Sequence, residues 1–273
     1  MKRIYTCCDE RYQWFLPTWA YSAKRVFSDT TIMVDFCGEM DPTCRDLLAA
    51  LDVSIGIPFK PAIRPSCLRF LLHSGGDSET MITDVDIAFI DDGVWCYLMA
   101  KMRTDGLGCY AAFQGTKKHP VRPEIAPDGW KGDMRRLCGG FVMVTEQWYK
   151  QTLDERQRYA QLLRKGWGNY READEVMLCR ICDKAIFVLP SGYKFNESQR
   201  NLHVGDFRED MRHRWTNVKK MQRLLPPESV MKTKALLADK GFQEVLSVVR
   251  ACGGEEVNAT WNNAIEHIGM RRP

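Results

Sequence analysis

Asp84 and Asp86, separated by a single valine, are the residues whose type and spacing point first to chemistry. Two carboxylates at i and i+2 in an extended or turning segment can face one hard divalent cation, whose other positions go to diphosphate oxygens and water. Such a cation offsets the negative charge that develops on a departing diphosphate. The triplet alone is weak, because 20 aspartates in 273 residues give about one or two Asp-x-Asp matches by chance. Its position is stronger: the β-forming run Met81–Thr83 leads straight into Asp84, and open α/β sheets bind ligands outside the carboxyl ends of their strands. Cys179 and Cys182 form a second pair with ligand-like spacing, but a structural zinc site needs a partner pair that the sequence lacks. Two thiols on one helix face is the preferred reading.

Positioning a strand-end site requires alternating strands and helices, and the chain supplies them. Arg3–Cys8 reads as a buried first strand, Trp14–Phe27 as a helix with Pro17 near its first turn, and Thr31–Phe36 as a second strand. Asp41–Leu51 reads as a helix with Asp41 as its N-cap and Pro42 at the first helical position, followed by a strand at Val53–Ile57. Pro65–His73 is a further helix before the Met81–Thr83 strand. A loop-rich region containing Gly106, Gly108 and the segment from Pro120 to Gly132 then leads to the strand Gly139–Val144. One long amphipathic helix over Glu146–Lys165, a helix over Arg171–Cys182 and a strand over Ala185–Leu189 follow. The pattern implies an α/β fold with a mostly parallel central sheet covered by helices on both faces.

The paired prolines Pro226-Pro227 mark a boundary, beyond which three helical stretches are punctuated by Gly241 and Gly253-Gly254. The chain thus divides into residues 1–215 and a small helical extension, 216–273. Eleven Lys and Arg stand against six Asp and Glu from Met211 onward, a net of +5, so residues 1–210 carry 4 − 5 = −1. A composition 45% apolar and 27% charged excludes the disordered and membrane classes. No apolar stretch approaches the roughly 20 residues needed to span a bilayer, and no signal-peptide pattern opens the chain, so a cytoplasmic location with mostly buried, unpaired thiols is expected.

The order of motifs resembles glycosyltransferase family 8 and its relatives of the GT-A fold, over about residues 3 to 210. The shared features begin with a loop after the first strand (Thr6 to Asp9), an arginine-bearing helix (Arg69) and the strand-Asp-x-Asp (Met81 to Asp86). They continue with a glycine-led strand (Gly139-Gly140-Phe141), an acidic helix start (Asp174-Glu175), a Leu-Pro then Asn segment (Leu189-Pro190 to Asn196) and a late His-x-Gly (His203-Val204-Gly205). The resemblance implies that His203 joins Asp84 and Asp86 as the third metal ligand. An imidazole beside two carboxylates suits Mn²⁺ better than Mg²⁺. It further implies a donor-binding role for Thr6, Asp9, Arg69, Gly205 and Arg208, and places Asp174 and Gly140 at the reacting face. Asp174 can equally be a helix N-cap, Arg69 can pair with an acidic neighbour on a helix face, and polar Thr6 and Asp9 are ordinary loop residues in any fold. Trp130, Trp148, Trp167 and Tyr170 tempt a sugar-stacking assignment, but core packing is the expected fate of most of them.

The chain departs from the family where a Lys-Pro-Trp usually follows the late glycine. Here the residues are Asp206-Phe207-Arg208-Glu209, with Arg208 either replacing the lysine at a different spacing or solvated on a helix. The resemblance implies transfer of a hexose from a UDP-sugar, with retention. The basic extension suggests an anionic acceptor, either a glycan at a membrane surface or hydroxymethylated DNA, or else merely solvates a helical cap. A nucleotidyltransferase making nucleotide-sugars is the rival enzyme class, opposed by the lack of glycine between Thr6 and Arg11. A non-catalytic nucleotide-binding α/β module is the third reading.

Overall fold

The computed structural model describes residues 2–56, 63–71, 79–106, 108–117, 134–164, 173–182, 201–216 and 227–270. β1 (Lys2–Asp9), α1 (Leu16–Val26), β2 (Thr30–Cys37), α2 (Pro42–Ala50), β3 (Val53–Ile55), α3 (Pro65–Leu71) and β4 (Thr80–Thr83) follow the alternation expected from the sequence. Pro17 sits in the first turn of α1, and the Asp41 carboxylate caps α2 by accepting from the Thr43 and Cys44 amides. After β4 come β5 (Ile87–Ala88), α4 (Gly93–Asp105), β6 (Cys109–Lys117) and β7 (Met134–Val144).

β1, β2, β3, β4, β6 and β7 form one sheet in the order β3-β2-β1-β4-β7-β6. The pairs β1–β2, β2–β3 and β1–β4 are parallel, whereas β7 runs antiparallel to both β4 and β6. β2 follows β1 on one side while β4 returns on the other, so the connections diverge between β1 and β4. Their carboxyl ends therefore flank the crevice in which such sheets bind ligands.

Side chains alternate between two apolar clusters, as the two-residue period of strands requires. Ile4 and Cys8 of β1, Met81 of β4 and Phe141 and Met143 of β7 join one cluster; Tyr5, Cys7, Ile82, Val142 and Val144 join the other. The second cluster is closed by α3, α5 (Glu146–Gln151), α6 (Leu153–Arg164) and α7 (Ala173–Cys182). Of the nine cysteines whose side chains are described, seven are buried, Cys179 on α7 among them.

The region expected to be loop-rich instead holds α4 and β6. Helix α4 lacks a well-segregated apolar stripe, and its stop signal is Gly106, a left-handed C-cap at φ 63°. Strand β6 contains Gly115 and slips register against β7 around Phe113, which hides the alternation. The single helix expected over Glu146–Lys165 is two, divided at Thr152, whose hydroxyl donates back to the Trp148 carbonyl at 2.6 Å and bends the chain there. Trp148 is fully buried, a core residue as expected; Trp130, Trp167, Tyr170, the strand at Ala185–Leu189 and the segment through Asn196 lie outside the described residues.

The C-terminal helices α9 (Pro227–Leu237), α10 (Lys240–Cys252) and α11 (Gly254–Gly269), after the single turn α8 (Arg212–Trp215), belong to the first cluster through Val230, Phe242, Val249 and Trp261. Helix α10 packs on α1 where the Tyr21 hydroxyl donates to Asp239, whose carboxylate also caps the Phe242 amide at 2.9 Å. Gly241, expected to end a helix, lies in the first turn of α10, where a Cβ would come within 2.3 Å of the Tyr21 oxygen. It permits close approach and breaks nothing. Among the described residues no helix is long and apolar enough to cross a membrane.

Trp261 is fully buried against Phe242, with ring centroids 5.7 Å apart. Trp261→Ala is expected to destabilise the whole molecule by about 3–5 kcal/mol, seen as one cooperative urea transition moved to lower denaturant. A loss under about 1 kcal/mol, or a separate early transition, would contradict a shared core.

Candidate metal centre

Asp84 follows β4 directly, and its position is fixed from three sides. The Thr6 hydroxyl donates to the Thr83 carbonyl at 2.8 Å, the Trp19 indole donates to the Thr83 hydroxyl at 2.9 Å, and the Asp84 amide donates to the Gly140 carbonyl at 3.0 Å. Thr6 is fully buried and thus ties β1 to β4; its hydroxyl proton is committed to the protein. Gly140 acts on the site through its backbone, as the acceptor that seats Asp84.

Three residues later the chain forms β5, which pairs antiparallel with β8 (Leu202–His203), setting Ile87 opposite His203. The Val204 amide donates to the Asp86 carbonyl at 2.8 Å, the Phe89 amide to Ser22 of α1, and the Ile90 amide to the Asn201 side chain. This short pairing brings His203 to Asp86 across 117 residues, with Nε2 3.1 Å from Asp86 Oδ1. Asp84, Asp86 and His203 each present one ligand atom, and all three atoms lie within 4.8 Å of one another. Two hard oxygens and one imidazole nitrogen at that spacing fit a divalent cation such as Mn²⁺.

Gly205 makes the approach possible. A Cβ there would lie 1.9 Å from Asp86 Oδ2 and 2.7 Å from its Cγ, so no side chain fits while Asp86 keeps its place. The turn Val204–Phe207 that carries Gly205 is braced by α11, where Asn263 donates to the Phe207 carbonyl at 3.1 Å.

Arg69 reaches in from α3 with its side chain only 4% exposed. Nη1 makes a short contact to Asp84 Oδ1 and Nη2 an ion pair with Asp174 Oδ2 at 3.2 Å. Of these two acids, Asp84 comes from the β4–β5 segment and Asp174 from α7. Asp174 is the second residue of α7 and faces Arg69 from inside the helix. Burial pushes its carboxyl above the ordinary range, with Arg69 opposing and Asp84 adding to the rise. Buried Arg156 steadies this corner, donating to the Leu71 carbonyl at the end of α3 and to the Tyr149 carbonyl.

Asp9 ends β1 and accepts from the Arg11 amide at 3.2 Å, an Asx-type turn that carries the chain to Tyr12. Arg208, between two 3₁₀ turns and half-buried, donates to the Tyr12 hydroxyl at 3.3 Å and pairs with Asp210. It is neither on a helix nor fully solvated, and its charge acts on Asp86. Tyr12, Asn201 and Asp206 escaped the sequence reading; the spacing of Asp206 three residues after His203 in a short turn was the available signal.

Burial pushes the Asp86 carboxyl up, but His203 and Arg208 outweigh it and hold it below the ordinary range. Burial likewise opposes charge on His203, yet Asp86 and Asp206 together raise its pKa well above the ordinary 6.5.

No known sequence family matches the chain, and no curated protein matches it. Among solved structures it is similar to a galactosyltransferase, LgtC, in complex with donor and acceptor sugar analogues, at TM-score 0.47 and 15% identity over 65% of this chain and 69% of that one. It is similar to the glycosyltransferase GlyE of Streptococcus pneumoniae TIGR4 at TM-score 0.46 and 16% identity, over 71% of this chain and 46% of that one. It is also similar to the mannosyltransferase PcManGT of Pyrobaculum calidifontis in complex with GDP-Man and Mn²⁺, at TM-score 0.42 and 12% identity, over 98% and 84%.

Gly205→Ala is expected to weaken Mn²⁺ binding by about tenfold or more and to lower stability by about 1–3 kcal/mol. Gly269→Ala, where a Cβ would meet nothing within 4 Å, serves as the neutral control. Equal Mn²⁺ affinity in the two variants would refute the close-approach role.

A raised pKa on His203 stabilises the metal-free fold fully below pH 6.5, and that stability fades as pH rises through the folded-state value. A cation needs the neutral ring, so its binding has the opposite slope. Mn²⁺ affinity is expected to climb by up to about tenfold per pH unit as pH rises toward the folded-state value of His203 and to level off above it, with release of close to one proton per ion below that value. Calorimetry in buffers of different ionisation enthalpy counts that proton, and His203→Asn should flatten the slope.

Proposed function

We propose that the chain is a metal-dependent glycosyltransferase of GT-A type that moves a hexose from a nucleotide-sugar, a UDP-sugar, to an acceptor with retention. The observation that carries this reading is the gathering of Asp84, Asp86 and His203 donor atoms within 4.8 Å beside the carboxyl ends of β1 and β4. A crevice at diverging sheet connections is where a nucleotide fits, and a carboxylate-imidazole trio is what its diphosphate needs in order to share a cation.

The bound divalent ion, Mn²⁺ or Mg²⁺, supplies charge neutralisation for the departing nucleoside diphosphate. The chain's own residues bind and orient. Arg208, held by Tyr12, offers a guanidinium toward the diphosphate, and Asp9 with the backbone near Thr6 borders the nucleoside end. Arg69 sets the carboxylates of Asp84 and Asp174, so that Asp174 borders the sugar while Gly140 fixes the base of the Asp84 turn through its carbonyl. No nucleophile is needed on this account: with charge spread over a loose transition state, rate comes from positioning and electrostatics.

Residues 1–215 would form the donor-binding unit and residues 216–273 a basic helical extension that shares its core. The net +5 carried from Met211 onward supports an anionic acceptor, a glycan at a membrane surface or a hydroxymethylated DNA base. Acceptor binding that collapses with salt favours DNA; dependence on anionic vesicles favours the membrane glycan. A nucleotidyltransferase is the weaker reading, since the turn after β1, Asp9-Glu10-Arg11, has no glycine with which to cradle a triphosphate.

Calorimetry with UDP is expected to give tight binding that needs both Mn²⁺ and Asp86, with Asp86→Ala losing about 10–100-fold or more in affinity. Binding indifferent to metal, or no binding of any nucleoside diphosphate, would sink the glycosyltransferase reading.

A further inference from the structure

Behind His203 stands a second carboxylate with no part in the ligand trio. Asp206 Oδ2 lies 3.2 Å from His203 Nδ1, while Nε2 on the opposite side of the ring faces Asp86 at 3.1 Å. The Asp206 side chain is 4% exposed against 25% for His203. It belongs to the same 3₁₀ turn, Val204–Phe207, which is pinned at its start by the Val204 amide on the Asp86 carbonyl and at its end by Asn263. With the turn fixed at both ends, the carboxylate is held facing the ring.

We propose that Asp206 is a positioning residue that sets the orientation and tautomer of His203, keeping the proton on Nδ1 and reserving the Nε2 lone pair for the cation. This rests on the reading of the trio as a cation site. A neutral imidazole has one proton and two nitrogens, and the hydrogen bond made by one nitrogen decides which lone pair the other offers. A ring proton on Nε2 would point at Asp86 and block ligation. A buried carboxylate at Nδ1 makes that tautomer unfavourable, turns the ring's plane to the site and raises the basicity of the ligating nitrogen. The geometry also accounts for the acidic residue where a lysine-bearing motif was expected: Asp206 serves the metal side of the site, and Arg208 is left to supply positive charge.

The test is Mn²⁺ binding to the full chain without nucleotide, by electron paramagnetic resonance, for wild type, Asp206→Asn and Asp206→Glu. Asp206→Asn, nearly isosteric, is expected to raise the Mn²⁺ Kd by about 10–100-fold with its metal-free thermal midpoint little changed, and Asp206→Glu to recover part of the loss. A merely structural role would lower the midpoint and leave the Kd of folded protein alone. Nitrogen-15 spectra of the Zn²⁺-loaded wild type are expected to show His203 protonated at Nδ1, which decides the matter even if the variants fail to fold. Asp206→Asn binding Mn²⁺ within twofold of wild type, or a wild-type ring protonated at Nε2, overturns the proposal. A wild type that binds no divalent ion overturns this proposal and the cation site together, whereas one whose Mn²⁺ affinity depends on Asp206 as expected but that never binds UDP upholds it and defeats only the glycosyltransferase reading.

Discussion

Two antiparallel residue pairs, Ile87 with His203 and Ala88 with Leu202, hold this site together. Isolated two-residue pairings have little stability of their own, so the rest of the molecule must supply it. Ser22 of α1 takes the Phe89 amide, Asn201 takes the Ile90 amide, and Val204 returns a bond to Asp86. Gly205 then lets the incoming turn settle against the Asp86 carboxylate, where a methyl group would overlap an oxygen. The second cluster member of the site, Asp84, needs none of this, because it emerges from a strand of the main sheet.

Charge balance is the second constraint. Asp84, Asp86, Asp174 and Asp206 converge on a small volume, and carboxylates brought together out of water repel one another unless cations or protons intervene. Arg69 divides itself between Asp84 and Asp174, and His203 between Asp86 and Asp206. Each cationic group is thus bracketed by two acids from different elements, which offsets part of the repulsion and leaves four carboxylates facing two cationic groups, a negative balance that suits a divalent ion. A divalent ion entering such a site displaces a proton from the imidazole more readily than it displaces Arg69, whose guanidinium stays charged at any accessible pH.

The C-terminal helices tie into the same arrangement. Helix α11 holds the turn Val204–Phe207 through Asn263 and packs His267 against Trp215, which in turn donates to the Arg208 carbonyl. Helix α10 locks on α1 through Tyr21 and Asp239, and α1 carries the Trp19 and Ser22 that seat Thr83 and Phe89. Removal of these helices would therefore disturb the metal centre from two directions, through the His203 turn and through the strand end before Asp84.

Local physics made the first half of the chain legible. Proline at a first turn, aspartate at an N-cap and β-branched runs act within a few residues, so β1 through β4 and the exit of Asp84 from a strand follow from sequence alone. The motif order likewise singled out His203, Arg69 and Asp174 as residues that belong together. Helix α4, strand β6 and the break at Thr152 were not legible, because an unsegregated helix, a slipped register and a back-bonded hydroxyl take their form from what packs against them. Only the tertiary structure decided what Gly205 and Gly241 are for, since close approach needs a second surface: the Asp86 carboxylate in one case and the Tyr21 hydroxyl in the other. It also decided that Arg69 bridges two distant elements and that Asp206 stands behind His203. Such contacts depend on where separate segments meet in space, and a sequence records which residues are present, not which of them the fold sets within hydrogen-bonding reach.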